Sequence, residues 1–495
     1  MTPTIAPRKR LAKIKDATVF YEHQVTGVRW CAVHHSFLIG DDPGLGKSLM
    51  ALTTAAVDFE GGFAKRVLAV VPNTAKENWA DEIEKHTSFT YLVLDGTPKQ
   101  RAVQIQRYLD DGRDVLIVNS EQVKAHLDEF NAIGFDILIE DEAHEYVNAP
   151  PRWLVKKSTW SKGSKRTQAI HGLRVGRRFM LTGTPQLNDV RDWWTYLHQC
   201  DPIKYPDYYR FSNRYAVFGG YKNKSVVGTK NDAELTDAIA AIQIRRLKED
   251  TLDLPAKQII QVKVGMHPFQ RELYDQINND LLATFGDGRD DKELENSLEK
   301  FGRLRQVCAT TATLGFEDIS MKLDKVVEDL LGLARGGFKT IVFTQYRPVQ
   351  VALEERLAKA SGPETWTLNG DMPARDRVPF VKKWGASSGP GVMSAMLQVA
   401  GVALNMTASR HVLMVDKLFV PGKNGQAHDR AHRIGADLAE AVQIWEYLVV
   451  RSAELRVEQI LNQKEKWTDA IVGTAVWKHD LMRLAMEAEA AEATA

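Results

Sequence analysis

Two apolar runs, about a hundred residues apart, end in turns that constrain everything else. Phe37-Leu38-Ile39-Gly40 runs into Asp42-Pro43-Gly44-Leu45-Gly46-Lys47-Ser48, and Phe135-Asp136-Ile137-Leu138-Ile139 runs into Asp141-Glu142-Ala143-His144. Short continuous apolar runs read as strands buried on both faces of a sheet. One strand therefore ends in a glycine-rich, lysine-bearing turn and the other in two adjacent carboxylates. Glycines let backbone N–H groups close around phosphates, and a following helix points its positive end at them. Lys47 is placed to reach the β- and γ-phosphates and Ser48 to put its hydroxyl on Mg²⁺. Gly44 and Gly46 supply the tight backbone. The strict phosphate-loop pattern has a glycine where this chain has Asp41. Adjacent carboxylates repel unless a cation or a buried network offsets them. Asp141 is thus expected to hold Mg²⁺ and Glu142 to orient or deprotonate an attacking water. Together the two strand ends predict an NTPase that uses Mg²⁺.

The strand rhythm sets the fold class. Val67-Leu68-Ala69-Val70-Val71, Val115-Leu116-Ile117-Val118 and Phe179-Met180-Leu181 repeat it early, and Thr340-Ile341-Val342-Phe343 and His411-Val412-Leu413-Met414-Val415 resume it late. Strands alternating with helical stretches imply α/β architecture with parallel sheets. Between about 190 and 330 the rhythm lapses, and the chain reads there as helices and loops. At 495 residues, two or three domains are expected. No apolar run is long enough to span a bilayer. The three cysteines, Cys31, Cys200 and Cys308, form no CxxC and suit a reducing compartment. Formal net charge is only +1, so any nucleic-acid contact has to be local. Residues 151–178 hold nine Lys or Arg and no Asp or Glu, including Lys162, Lys165, Arg166, Arg174, Arg177 and Arg178. That run is either a solvated loop or a phosphate contact.

Read in order, further segments resemble one family, the Swi/Snf-like DNA translocases of helicase superfamily two. Tyr21-Glu22-His23-Gln24 resembles the adenine-reading segment, with Gln24 on the base edge. Val70-Val71-Pro72, Asn78-Trp79 and Glu82 resemble the motif that begins the DNA track, and Asn119 and Ser120 fall on the next DNA-contacting motif. Leu181-Thr182-Gly183-Thr184-Pro185 is similar to the coupling motif, in which His144, Thr182 and Thr184 link nucleotide to nucleic acid. Arg245-Arg246-Leu247-Lys248 resembles the element leaving the first lobe. Gln426-Ala427-His428-Asp429-Arg430-Ala431-His432-Arg433-Ile434-Gly435 resembles the final motif, which implies that Gln426 binds nucleotide and that Arg430 and Arg433 are arginine fingers. Gln398 and Ala436 depart from the family pattern.

The resemblance implies two RecA-like parallel-sheet lobes in tandem with a helical insertion between them. The expected divisions are a basic N-terminal tail (1–16), a first lobe (17–245), a linker and helical protrusion (246–325), a second lobe (326–470) and a C-terminal helix or acidic tail (471–495). The implied nucleotide is ATP, and the implied partner is double-stranded DNA gripped by its backbone, with no membrane involved. The setting expected is a bacterial or phage-infected cytoplasm rather than a nucleus. A strand-separating DNA or RNA helicase, and a nucleotide-gated DNA-binding scaffold without turnover, are the competing readings.

Overall fold

The computed structural model describes residues 11–147, 164–185, 189–219, 225–251, 257–285, 301–400, 404, 406–418, 421–428, 431 and 441–455. The chain divides into two compact units between Asp253 and Leu254. The first is built on a seven-stranded parallel sheet. Its strands are β1 (Phe37–Ile39), β2 (Val67–Val70), β3 (Tyr91–Val93), β4 (Val115–Val118), β5 (Phe135–Asp141), β6 (Val175–Leu181) and, after an antiparallel hairpin of β7 (Ala216–Gly219) and β8 (Ser225–Thr229), β9 (Gln243–Ile244). Their order is β3-β4-β2-β5-β6-β1-β9. β1, β2 and β4 are buried at every position, as strands covered on both faces must be. Helices α1 (Glu22–Val33), α2 (Lys47–Glu60) and α3 (Lys76–His86) belong to this unit.

The second unit holds a six-stranded parallel sheet. Its strands are β10 (Lys257–Val264), β11 (Thr340–Thr344), β12 (Glu364–Leu368), β13 (Gly391–Met396), β14 (His411–Met414) and β15 (Val442–Val449), in the order β10-β15-β14-β11-β13-β12. Side chains alternate across each strand. Ile341, Phe343, Met393, Val412 and Ile444 accordingly join one core, and Val342, Val392, Leu413 and Tyr447 another. The two-lobed α/β reading matches this architecture.

The expected divisions shift in places. The stretch 246–325 is not all linker and helix: β10 is a full strand of the second sheet, paired with β15 over eight positions. Its side chains are mostly exposed, so it lacks the apolar run by which the other strands announce themselves. Arg246–Thr251 stay with the first unit, because Arg246 is tied to Asp41. Residues 11–16 are docked rather than free. Lys13 Nζ donates to Asp114 Oδ2 at 2.7 Å and lies over the Phe59 and Phe89 rings, and Ile14 bridges Thr87. The acidic tail and residues 286–300 lie outside the described residues. Trp193 and Trp194 pack in the core of the first unit.

In the second unit, a buried ion pair joins the ends of two strands. Lys322 Nζ, on the helix Met321–Arg335, donates to Glu454 Oε1 and Oε2 at 2.7 and 2.8 Å and to the Val415 carbonyl at 3.0 Å. Both residues are buried, and burial pushes the Glu454 carboxyl above its ordinary range while Lys322 opposes the shift. Removing one partner of such a pair leaves an uncompensated charge in the core. Lys322→Met is therefore expected to lower the unfolding free energy of this unit by about 3–5 kcal/mol, read by urea denaturation of the full chain. A loss under about 1 kcal/mol would mean the pair is dispensable.

Candidate nucleotide site

Three neighbouring strands, β5, β6 and β1, bring the motifs to one edge of the first sheet. Leu181 at the end of β6 is in register with Ile39 of β1 on one side and Asp141 of β5 on the other. The chain leaves these strands into the lysine-bearing loop, the acidic turn and Thr182-Gly183-Thr184. The backbone ties them further, since Thr182 N–H donates to the Ile39 carbonyl at 3.1 Å. Gly183 lies against the loop: a Cβ there would come within 3.0 Å of Pro43.

The loop folds as its glycines require. Gly44 and Gly46 take φ of 93° and 84°, a left-handed conformation that disfavours other residues. Gly46 caps α2, so Lys47 and Ser48 open that helix and its positive end faces the loop. Lys47 Nζ donates to the carbonyls of Asp41 and Asp42 at 2.7 and 3.3 Å, so its ammonium lies within the loop. Asp41, where the strict pattern has glycine, is completely buried and salt-bridged by Arg246. Arg246 also bonds the His23 carbonyl, and the Lys248 N–H donates to Asp42 Oδ2 at 3.0 Å. The segment after β9 therefore clasps the phosphate loop, a role the motif reading did not assign to it.

α1 braces the same loop. Gln24 is buried. Its amide nitrogen donates to the Leu45 carbonyl at 3.2 Å, and its Oε1 accepts from Tyr21 N–H at 3.0 Å. His23 Nε2 lies 3.0 Å from the same carbonyl. Gln24 is thus beside the loop, with both ends of its amide engaged by protein groups.

The acidic turn is strained and electrostatically loaded. Glu142 sits in the left-handed region at φ 52°, which costs a non-glycine residue of order 1 kcal/mol. Burial, then the Glu142 charge, pushes the Asp141 carboxyl up to about 6, while the Trp79 hydrogen bond and the Lys47 charge pull it down. Lys47 and Asp141 therefore feel one another within this unit. Trp79 Nε1 donates to Asp141 Oδ2 at 2.8 Å, and Glu142 N–H donates to Asp141 Oδ1 at 3.1 Å. His144 is buried, its Nδ1 lying 2.8 Å from Thr182 Oγ1, 3.2 Å from Glu142 Oε2 and 3.5 Å from Thr184 Oγ1. The residues expected to couple are hence in direct contact. Trp79, in a segment that resembles the motif beginning the DNA track, is buried with its indole N–H on Asp141.

Other expectations fare differently. Asn119 caps the helix Ser120–Ala125 through Gln122 N–H at 2.9 Å and donates to Asn73 Oδ1 at 2.9 Å. Ser120 is buried at the first turn of that helix. Two residues of the basic run are structural: on β6, Arg177 pairs with Asp58 and Arg178 with Glu140. Arg166 Nε meets Glu121 Oε1 at 2.7 Å on the surface, and Lys165 opens the helix Lys165–Gly172. In the second unit, Gln426 lies on the helix Pro421–His428, anchored by reciprocal Asn424–Leu418 hydrogen bonds of 2.8 and 2.7 Å. Lys162, Arg430 and Arg433 lie outside the described residues.

Residues 23–313 match the family model described as the SNF2-related domain, and 322–435 match the helicase conserved C-terminal domain. The chain belongs to the SNF2-related family. YwqA of Bacillus subtilis, by name an ATP-dependent helicase/translocase, is 25% identical over 91% of this SNF2-related chain and 48% of its own length. The ISWI chromatin-remodeling complex ATPase ISW1 of Saccharomyces cerevisiae is 23% identical over 91% of this chain and 40% of its own. The chain thus spans about half or less of the length of such curated relatives. Among solved structures, the Sulfolobus solfataricus SWI2/SNF2 ATPase core in complex with dsDNA aligns over 98% of each chain at 20% identity, with a TM-score of 0.43. Among the described residues, no helix is long and apolar enough to cross a membrane.

Proposed function

We propose that this chain is a DNA-dependent ATPase that hydrolyses ATP to move along, or remodel protein on, double-stranded DNA. The observation that carries the reading is the convergence of Lys47, Asp141 and Glu142 on adjoining strand ends, with His144 bonded to Thr182 between them. Lys47 and the α2 N-terminus bind the phosphates, and Glu142 takes the proton of the attacking water. Gln24 holds the loop and faces the base side.

The donor set fits Mg²⁺. A partly buried carboxylate whose ionisation is opposed by its neighbour is stabilised by a cation, and Ser48 supplies a hydroxyl at the helix start. Mg²⁺ commonly takes only one or two protein ligands and completes its shell with water and substrate phosphates. When bound it supplies charge neutralisation at the phosphates. Arg430 and Arg433 are assigned the finger role, and Gln426 a nucleotide contact, by their place in the final motif. Arginine fingers contribute about 10³–10⁵ in rate in comparable enzymes. The loops after β2 and β4, with Asn73 and Asn119 exposed at their bond, are proposed to touch the DNA backbone, joined by Lys162, Lys165 and Arg166. Backbone contacts carry little sequence preference. The three free cysteines suit a reducing cytoplasm, our reading of its setting.

The test is ATP turnover titrated with duplex DNA, single-stranded DNA and RNA at two salt concentrations. Duplex DNA is expected to stimulate most, with apparent affinity falling about tenfold or more between about 50 and 200 mM salt. Stimulation by RNA alone would overturn the duplex reading. Preference for single strands with unwinding of a forked substrate would replace it by strand separation.

A further inference from the structure

Trp79 does chemistry-related work that its motif does not assign to it. The side chain is 1% exposed, and its Nε1–H is the donor that reaches Asp141 from another element, at 2.8 Å to Oδ2. The other carboxylate oxygen accepts from Glu142 N–H, in the next peptide, at 3.1 Å. Two donors on two oxygens fix the plane of a carboxylate that would otherwise turn about its Cα–Cβ and Cβ–Cγ bonds. An indole N–H donates and cannot accept, so it orients an ionised carboxylate without competing for what that carboxylate binds.

Trp79 is itself held. It lies on α3, whose first residue, Lys76, is buried and donates to the Leu94 carbonyl at 2.7 Å and to Gln122 Oε1 at 2.9 Å. Gln122 Nε2 donates to that same carbonyl at 2.8 Å, and Asn119, three residues earlier, bonds Asn73. A continuous set of hydrogen bonds therefore joins the loops after β2 and β4 to α3 and so to the strand end of β5.

We infer that Trp79 is a positioning residue for Asp141: its indole N–H sets the orientation of the metal-binding carboxylate and ties it to α3. This rests on the assignment of Asp141 to the cation of a nucleotide complex. Partners that orient a metal ligand typically contribute about 10–100-fold in metal affinity when lost. Trp79→Phe keeps an aromatic ring in the core and deletes the donor.

The experiment measures Mn²⁺ binding to the full chain with ADP by electron paramagnetic resonance, for wild type, Trp79→Phe and Asp141→Asn. Binding of ADP without metal and the melting temperature are followed in parallel. Trp79→Phe is expected to melt near wild type, to bind metal-free ADP normally and to weaken Mn²⁺ about tenfold, with Asp141→Asn weaker still. Mn²⁺ affinity within about twofold of wild type in Trp79→Phe, while Asp141→Asn loses it, overturns the inference alone. Unchanged Mn²⁺ binding in Asp141→Asn instead overturns the assignment of the carboxylate on which it rests. Should Trp79→Phe fail to fold, the indole N–H resonances of the wild-type chain are read. One that shifts with Mg²⁺ and ADP but not with ADP alone supports the role, and indifference of all eleven tryptophans overturns it.

Discussion

Glu142→Gln is expected to slow ATP hydrolysis by about 10²–10⁴-fold while leaving ATP binding close to wild type, the loss that follows when a positioned general base can no longer accept a proton. The substitution is nearly isosteric. It keeps the left-handed backbone at this position, and a glutamine oxygen can still face His144, whose Nδ1 lies 3.2 Å from Glu142 Oε2. It also removes a negative charge from beside Asp141, where burial and Glu142 together oppose ionisation. Relief of that repulsion favours the charged form of Asp141, so cation and nucleotide affinity hold or improve while turnover collapses. Single-turnover hydrolysis with enzyme in excess, beside equilibrium binding of ATP, separates the two. A rate within about twofold of wild type would remove Glu142 from its role. A wild-type chain that binds ATP and never turns it over would return the reading to a nucleotide-gated scaffold.

What could be read from the sequence, and what could not, divides by the range of the interaction. β1 and β5 were legible because a strand buried on both faces is mostly apolar, and the charged residues and glycines that follow it are then conspicuous. Asp141, Glu142, His144 and Thr182 sit at or within three residues of a strand end and Lys47 lies at the end of the loop that follows β1, so local pattern located them and the parallel sheet brought them together. β10 failed the same test, since an exposed strand carries Lys257, Gln258, Gln261 and Lys263 among its apolar residues. Pairs that join distant segments left no local trace. Trp79 reads as a family motif residue in sequence, and nothing near it announces a bond to a carboxylate 62 residues later. The basic run looked like a single patch because sequence counts charge without its partners. Asp58 and Glu140 pair with the partly buried Arg177 and Arg178 in the first unit, so positive charge in the sequence is not all positive surface.

Asp41 and Arg246, 205 residues apart, give the second large expected effect. Arg246→Met leaves the Asp41 carboxylate with no guanidinium at a site of zero exposure, and breaking a buried pair in this way costs about 3–5 kcal/mol. The backbone clasp survives the change, because Asp42 N–H still donates to the Arg246 carbonyl and Lys248 N–H to Asp42 Oδ2. The damage is therefore a misplaced charge rather than a lost connection, and it falls on Asp41 itself, whose carbonyl with that of Asp42 holds Lys47. Urea unfolding should report the lost stability, and ATP affinity should fall with it as the loop rearranges to hydrate Asp41. Asp41→Asn in the same chain tests the cause. It removes the stranded charge, so Arg246→Met with Asp41→Asn should recover most of the stability and of the ATP affinity lost by Arg246→Met alone. Additive losses in the double variant would mean that Arg246 acts through its hydrogen bond to His23 and its contact with Met50, and that aspartate in the phosphate loop is not what the arginine is there to neutralise.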